Sequence, residues 1–381
     1  MKKVISFCLF TIISINFIYA QDYELIEVGK SIKFGDKKAE LGKNLQFKSE
    51  KALGFSPDGI AVDIDNSFYV CDKFSKTIIK YDSLMNYIYE IKIEDSNLHG
   101  EAVKGFNKTH LTPVELSYKV ELATDTYKNL YCLIKKDDRI HRFIKYNEEG
   151  KLIKEFDLHT TLPAWFNANM FHINNDKIFI YTSIELPPDK SYTDFMQKNV
   201  FVYDLEGGFL GRCNYFLEDD DGKIYRRNTI NKKDLLWIDQ YSSELNNIVK
   251  PTSELSLNRS LYTELQPNTG LDKVEIDKHN NLYFISLNPL LIAVFNFNDN
   301  TVKKVSDIEP LREVIYKKYK ILVPTFKSLL VSYNGNIFIY GIKSKKDYSD
   351  RYKESNDSEV ELRILQIKPK EEIINPNNKN K

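Results

Sequence analysis

The sequence predicts an all-β chain, a six-bladed β-propeller of four-stranded antiparallel blades whose ring is closed by an N-terminal strand. Three observations predict it. One phrase recurs six times along the 381 residues: a polar turn, an aliphatic residue, an aromatic and a short apolar strand. Further strand-like runs flank the copies, and no helical period joins one copy to the next. Tyr (24) and Phe (23) are abundant while Gly (15) and Pro (12) are scarce, a usage that favours strands.

The chain opens on an export segment. Lys2 and Lys3 form a positive start, Val4 to Ile18 is almost wholly apolar, and Ala20 offers a small residue before Gln21. Residues 1–20 therefore read as a signal peptide. A membrane anchor is the competing reading, weakened by Thr11, Ser14 and Asn16 and by the lack of a cationic stop. Cys8 lies inside the apolar run with no small-residue box before it, which argues against lipid modification. No later run approaches the roughly 18 apolar residues that span a bilayer, so the mature chain is expected to lack a transmembrane segment.

The repeat follows. Its aromatic stands at Tyr69, Tyr131, Phe179, Tyr225, Tyr283 and Phe338. A strand ending in Asp precedes the turn in three copies: Ile60–Asp63, Leu122–Asp125 and Val274–Asp277. Asp at a strand end can accept hydrogen bonds from the backbone of its own turn, so its recurrence needs no catalytic explanation. A third strand follows and ends in an aromatic plus Asp or Asn, as in Ile78–Asp82, Phe143–Asn147 and Val200–Asp204. Fourth strands are expected at Tyr87–Ile93, Lys151–Leu158 and Phe209–Phe216, and Leu235–Asp239 is the third strand of the weakest unit, the fourth. Runs such as Ile178–Tyr181 are apolar at consecutive positions, as expected of sheets covered on both faces. Radial stacking covers both faces without capping repeats.

The sixth unit supplies strands near Ser328–Val331, Asn336–Ile342 and Val360–Ile367, and lacks a fourth. Tyr23–Phe34 precedes the first unit and has no partner there, so it is expected to complete the sixth sheet. Glu371–Ile374 is the alternative donor, disfavoured by Pro369 and by the Asn/Lys-rich end of the chain. The organisation is thus a signal peptide at 1–20, the propeller at 21–368 and a disordered polar tail at 369–381. Asp95–His110 and Asp347–Ser358 read as long connections, and Glu309–Lys320 as one short helix.

Charge narrows the function. With 54 basic and 54 acidic side chains, the chain lacks the basic excess of a generic nucleic-acid binder. Cys71, Cys132 and Cys213 remain after export; an odd number cannot all pair within one chain, so no dense disulfide framework is expected. Each falls in an expected strand, as a buried small apolar residue would, and a Cys71–Cys132 bridge stays open.

Aligned on the repeat aromatic, the residue eleven places earlier marks the start of each inner strand, near the mouth of a central channel. That column holds Asp58, Val120 beside Glu121, Ala168 beside Asn169, Asn214, Asp272 and Lys327. Asp58, Glu121, Asn169, Asn214, Asp272 and Lys327 are the candidate ligand-binding residues. Side-chain oxygens converging from several blades suit a hard cation, which takes six to eight of them; Asp58, Asn169, Asn214 and Asp272 would be its ligands. A wet channel lined by polar side chains explains the same column with no cofactor, and Lys327 and Val120 fit a cation poorly.

Other patterns lead to ordinary roles. Glu218–Gly222 fails the spacing of a calcium-binding loop, with Leu217 at the first ligand position and Asn228 at the twelfth. The six His are scattered, and there is no Gly-x-Ser-x-Gly elbow or phosphate-cradling glycine loop. Trp165-Phe166 and the Tyr-rich third strands suit packing between blades as well as an aromatic binding surface.

The first unit resembles the NHL repeat, and more generally the six-bladed propeller superfamily. The matching residues are Pro57-Asp58-Gly59-Ile60-Ala61-Val62-Asp63, then Phe68–Asp72, then Ile78–Asp82. It is also similar to the YWTD-type repeat through Tyr69-Val70-Cys71-Asp72, whereas the Trp-Asp signature of WD40 repeats is absent. The resemblance implies a propeller that binds a protein, glycan or small molecule on one face or along its channel. It also implies the alternative of a calcium-dependent hydrolase of the lactonase or gluconolactonase type at the channel mouth. Lys-, Asn- and Ile-rich usage points to an AT-rich bacterial source. The expected protein is a monomeric, secreted or periplasmic binding or scaffolding module of the bacterial cell envelope, without a cofactor and without nucleic acid as partner.

Overall fold

The computed structural model describes residues 23–34, 39–41, 57, 59–72, 75–93, 118–136, 140–157, 166–174, 176–184, 200–213, 217–218, 224–227, 237–241, 253–256, 271–279, 281–287, 290–296, 301–322, 329–344 and 360–369. The expected signal peptide 1–20 and connections 95–110 and 347–358 lie outside these residues, as does the expected tail 369–381 except for Pro369, which the structure places at the end of a strand rather than in the tail.

The protein is all-β, with propeller-like four-stranded antiparallel sheets. The first holds β3 (Gly59–Val62), β4 (Phe68–Asp72), β5 (Thr77–Tyr81) and β6 (Tyr87–Lys92) in chain order. The second holds β7 (Tyr118–Thr124), β8 (Leu130–Lys136), β9 (Ile140–Tyr146) and β10 (Leu152–Asp157), and the third β11 (Phe166–Asn174), β12 (Lys177–Ile184), β13 (Val200–Asp204) and β14 (Phe209–Cys213). A fourth holds β15 (Leu217–Glu218), β16 (Ile224–Arg227), β17 (Trp237–Tyr241) and β18 (Ser253–Ser256). A fifth holds β19 (Leu271–Ile276), β20 (Asn281–Leu287), β21 (Leu290–Asn296) and β22 (Thr301–Asp307). In the fourth sheet the third strand lies two residues later than the expected Leu235–Asp239: Trp237 starts it and Tyr241 ends it, opposite Ile224.

The last sheet is built from both ends of the chain. β25 (Ile337–Ser344) pairs with β26 (Val360–Pro369), and β23 (Ile321–Leu322) and β24 (Leu329–Val331) pair along the other side of β25. On the outer side of β26 lie β1 (Tyr23–Glu27) and β2 (Ile32–Lys33), both antiparallel to it. Pro369 can end this strand because it has no N–H to donate.

Burial explains why the second and third strands carry the aromatics. Every residue of Phe68–Asp72 and of Thr77–Tyr81 is buried, because a neighbouring sheet covers each face. One cluster joins Ile60, Phe68 and Ile79 of the first sheet to Phe338, Tyr340 and Leu362 of the last, with Ile32 and Phe34. A second joins Cys71 and Ile78 to Val120, Leu130 and Cys132. A third joins Tyr131 and Phe143 to Phe171, Ile178 and Phe201. The last sheet also packs on the fifth, through Tyr23, Leu25 and Ile337 against Tyr283 and Ile292. The helix expected at Glu309–Lys320 forms as α1 (Ile308–Tyr319) and buries Leu311 and Ile315 in this seam, one turn apart on one face. Tyr319 then donates its hydroxyl hydrogen bond to the Leu25 carbonyl at 2.8 Å, tying the helix to β1.

Candidate functional site

First strands of adjacent sheets run side by side: β24 by β3, β3 by β7 and β7 by β11. Gly59 permits one of these approaches. A Cβ there would stand 2.9 Å from the Val120 carbonyl oxygen, closer than real Cβ atoms come. The glycine of the Pro-Asp-Gly phrase thus has a packing reason.

Of the candidate column, Asp58, Asn214 and Lys327 lie outside the described residues. Glu121, Asn169 and Asp272 fall at one level of their sheets. Glu121 lies on β7 opposite Leu133, two residues past the repeat aromatic. Its neighbour Val120 is buried in the seam with the first sheet, and Glu121 is half-buried. Asn169 is the extra residue of a bulge, because Ala168 faces Thr182 while Met170 faces Tyr181. Asp272 is the extra residue of a matching bulge, because Leu271 faces Ser286 while Lys273 faces Ile285. A bulge leaves one residue without an opposite partner on the neighbouring strand. Sequence alignment reaches this level but not the bulges, which depend on how the first strand pairs.

The opposite ends of β7 and β19 carry turns in which the Asp carboxylate is bound within the turn. Asp125 Oδ1 accepts the backbone N–H of Tyr127 at 2.9 Å and of Asn129 at 2.8 Å. Its Oδ2 accepts the Asn129 amide at 2.8 Å and the Tyr131 hydroxyl at 3.0 Å. Asp277 repeats the pattern with His279, Asn281 and Tyr283. Asp82, Asn147 and Asp204 do the same for the turns between third and fourth strands. The recurring Asp is thus a turn-former, as its placement implies. Burial, followed by the nearby carboxylate, raises the Tyr131 and Tyr283 phenols well above their ordinary range, so both remain donors.

Turns of adjacent sheets also bind one another. Asn334 donates to the Ile64 carbonyl, Asn336 to Asn66 Oδ1 at 3.1 Å, and Thr124 to the Val62 carbonyl at 2.9 Å. Lys128 bridges Asp65 at 2.7 Å and Glu148 at 3.0 Å.

Two buried lysines were not anticipated. Lys80 and Lys145 each precede the tyrosine that ends a third strand, and each is buried. Lys145 crosses to the next sheet, pairing with Glu206 at 3.0 Å and lying 5.5 Å over the Tyr131 ring. That pairing holds the Glu206 carboxyl below its ordinary value. Lys80 lies 4.9 Å over the Tyr69 ring and 3.7 Å from Asp63 Oδ2. Burial outweighs Lys80 and two backbone hydrogen bonds, and raises the Asp63 carboxyl. A lysine inside an otherwise apolar strand, at one place in two successive units, is the signal that could have found them.

Cys71 and Cys132 are both buried and neither is joined in a disulfide, so the open bridge between them is not made. His172 is buried and stacks on Phe179 with ring centroids 5.0 Å apart. Tyr81, Tyr146 and Tyr203 of the third strands are buried in the seams, which makes them packing residues. Among the described residues no cluster of His, Cys, Asp or Glu is grouped to hold a metal ion, and no helix is long and apolar enough to cross a membrane.

The fold and its turns define the class as propeller-like. No family model and no curated protein matches the chain. Solved structures do. One is the PQQ-bound aldose sugar dehydrogenase of Streptomyces coelicolor, 10% identical, covering 91% of this chain and 98% of that one, with TM-score 0.43. Another is a member of the duf4221 family from Bacteroides vulgatus, 15% identical, covering 92% and 99%, with TM-score 0.41. A third is the calcium-binding protein regucalcin of Agrobacterium tumefaciens, 10% identical, covering 83% and 93%, with TM-score 0.39. Likeness at this level carries no substrate or reaction to this chain.

Proposed function

We propose that the chain is an exported, monomeric, closed six-bladed propeller of the NHL-like type, a binding or scaffolding module of the bacterial cell envelope. The observation that carries this reading is the placement of the last sheet. It contains both ends of the described chain and packs on the first sheet and the fifth at once. A ring built this way is a rigid frame, and the recurring acids are bound into its turns, which leaves the open ends of the first strands to meet a protein, glycan or small molecule. The test is binding by the purified mature protein to envelope fractions, with lactone turnover measured in parallel. Saturable envelope binding without turnover supports the reading; metal-dependent lactone hydrolysis overturns it.

The second reading is a calcium-dependent lactonase-type hydrolase with Asp58, Asn169, Asn214 and Asp272 around the cation. The matching bulges at Asn169 and Asp272 favour it. It expects calcium to raise the thermal midpoint, and the paired substitutions Asp58→Ala and Asp272→Ala to abolish that rise. An undiminished rise in the double variant removes it.

A further inference from the structure

Three turns share one design, with Asp at the end of the first strand and Tyr six residues on: Asp63 and Tyr69, Asp125 and Tyr131, Asp277 and Tyr283. In two of them the outer carboxylate oxygen is saturated by protein. Asp125 Oδ2 takes the Asn129 amide at 2.8 Å and the Tyr131 hydroxyl at 3.0 Å. Asp277 Oδ2 takes the Asn281 amide at 2.9 Å and the Tyr283 hydroxyl at 2.8 Å.

The first sheet departs from this. Ser67 stands where the other two turns have Asn, and a serine lacks the amide that reaches the carboxylate. Asp63 and Tyr69 are 1% and 0% exposed. Asp63 Oδ2 lacks a hydrogen-bond partner among the described residues, and the Tyr69 hydroxyl, rather than bonding this carboxylate as its counterparts do, lies beside the Tyr89 hydroxyl. The Lys80 ammonium approaches from the third strand, 3.7 Å from Asp63 Oδ2 and 3.5 Å from the Glu148 carbonyl. Both distances exceed those of strong N–H···O bonds. Leaving a buried carboxylate oxygen without a close donor in a low dielectric is costly.

We propose that one structural water molecule binds between Asp63 Oδ2, the Tyr69 hydroxyl and Lys80 Nζ, in the place of the missing amide. The charges choose the ligand. Asp63 excludes an anion and Lys80 excludes a cation, so the occupant is neutral. It must donate to the carboxylate while accepting from the ammonium or the phenol, and water does both. Three polar partners match the two to four that hold a buried water. The site belongs to the seam between first and second sheets, because Glu148 and the Tyr89 hydroxyl that donates to its carbonyl at 2.7 Å close the far side.

The test is crystallographic, on the full mature chain, with water density as the readout. The wild-type protein is expected to show an ordered peak within hydrogen-bond distance of both Asp63 Oδ2 and the Tyr69 hydroxyl. In Ser67→Asn the new amide is expected to replace that peak and raise the thermal midpoint by roughly 1–3 °C. Absence of the peak in wild type, with Lys80 or Tyr69 bonded directly to Asp63, overturns the proposal. A peak that persists unchanged in Ser67→Asn overturns it too. If that variant does not fold, the wild-type density decides alone.

Discussion

Leu25 and Ile367 stand opposite one another across the pairing of β1 with β26, although almost the whole chain runs between them. The same β26 is paired by β2, whose Ile32 is buried between the last sheet and the first. The N-terminal strands are therefore part of the core, and their loss should be felt as a core loss. Ile32→Ala is expected to cost about 2–5 kcal/mol, read as a fall in the urea midpoint. Lys33→Ala, on the exposed side of the same strand, is expected to stay within about 0.5 kcal/mol of wild type. Equal effects from the two would show that β2 does not pack as described.

Asp277 accepts four hydrogen bonds, two from backbone N–H groups and two from side chains. Asp277→Ala leaves buried donors without an acceptor and is expected to cost about 2–4 kcal/mol. Asp277→Asn keeps one acceptor oxygen and is expected to cost less. Chemical denaturation of both variants checks the order, and a larger loss in Asn than in Ala would contradict the turn geometry.

Gly59 lies where β3 meets β7. Gly59→Ala sets a Cβ against a backbone carbonyl at 2.9 Å, and a carbonyl in a paired strand cannot swing away as a side chain can. A loss of about 1–3 kcal/mol is expected. A neutral or stabilising result would mean that the two strands separate without cost.

Two carboxyls should act oppositely on the acid side of the stability profile. The Glu206 carboxyl is held low by Lys145, so its contribution is present above the ordinary glutamate value and fades as pH falls through the lower folded value. Glu206→Gln should remove that acid loss, by a small amount because Glu206 is largely exposed. The Asp63 carboxyl is raised by burial. Its contribution is present below the ordinary aspartate value and is lost as pH rises through the higher folded value. Asp63→Asn should remove that decline. Thermal midpoints across the acid range check both signs, and a shift in the same sense for both variants would refute the assignment.

Much of this fold is local in origin, and therefore legible. Asp63, Asp125 and Asp277 bind the backbone of their own turns within four residues, so the turn phrase alone marks where strands reverse. The helix at Ile308–Tyr319 is readable for the same reason, since Leu311 and Ile315 share a face by local geometry. The candidate level of Glu121, Asn169 and Asp272 is also reachable by counting from the aromatic, because the count within one hairpin is short.

Partners contributed by other sheets were not legible. Lys80 and Lys145 look like surface lysines until the turn of the next sheet arrives over them with Glu148 or Glu206. Ser67 looks like a harmless variant of Asn until Asp63 is buried and needs the missing amide. The bulges at Asn169 and Asp272 arise from pairing register, which belongs to two strands at once. The turns, the strand order and the buried aromatic rows are written locally in the chain, because hydrogen bonds and alternation within a few residues set them. Which charges are buried, where Gly59 meets a neighbouring carbonyl and which polar atoms are left to share follow from the packing of sheet on sheet. Burial and proximity are properties of two sheets in contact, and no single stretch of chain contains them.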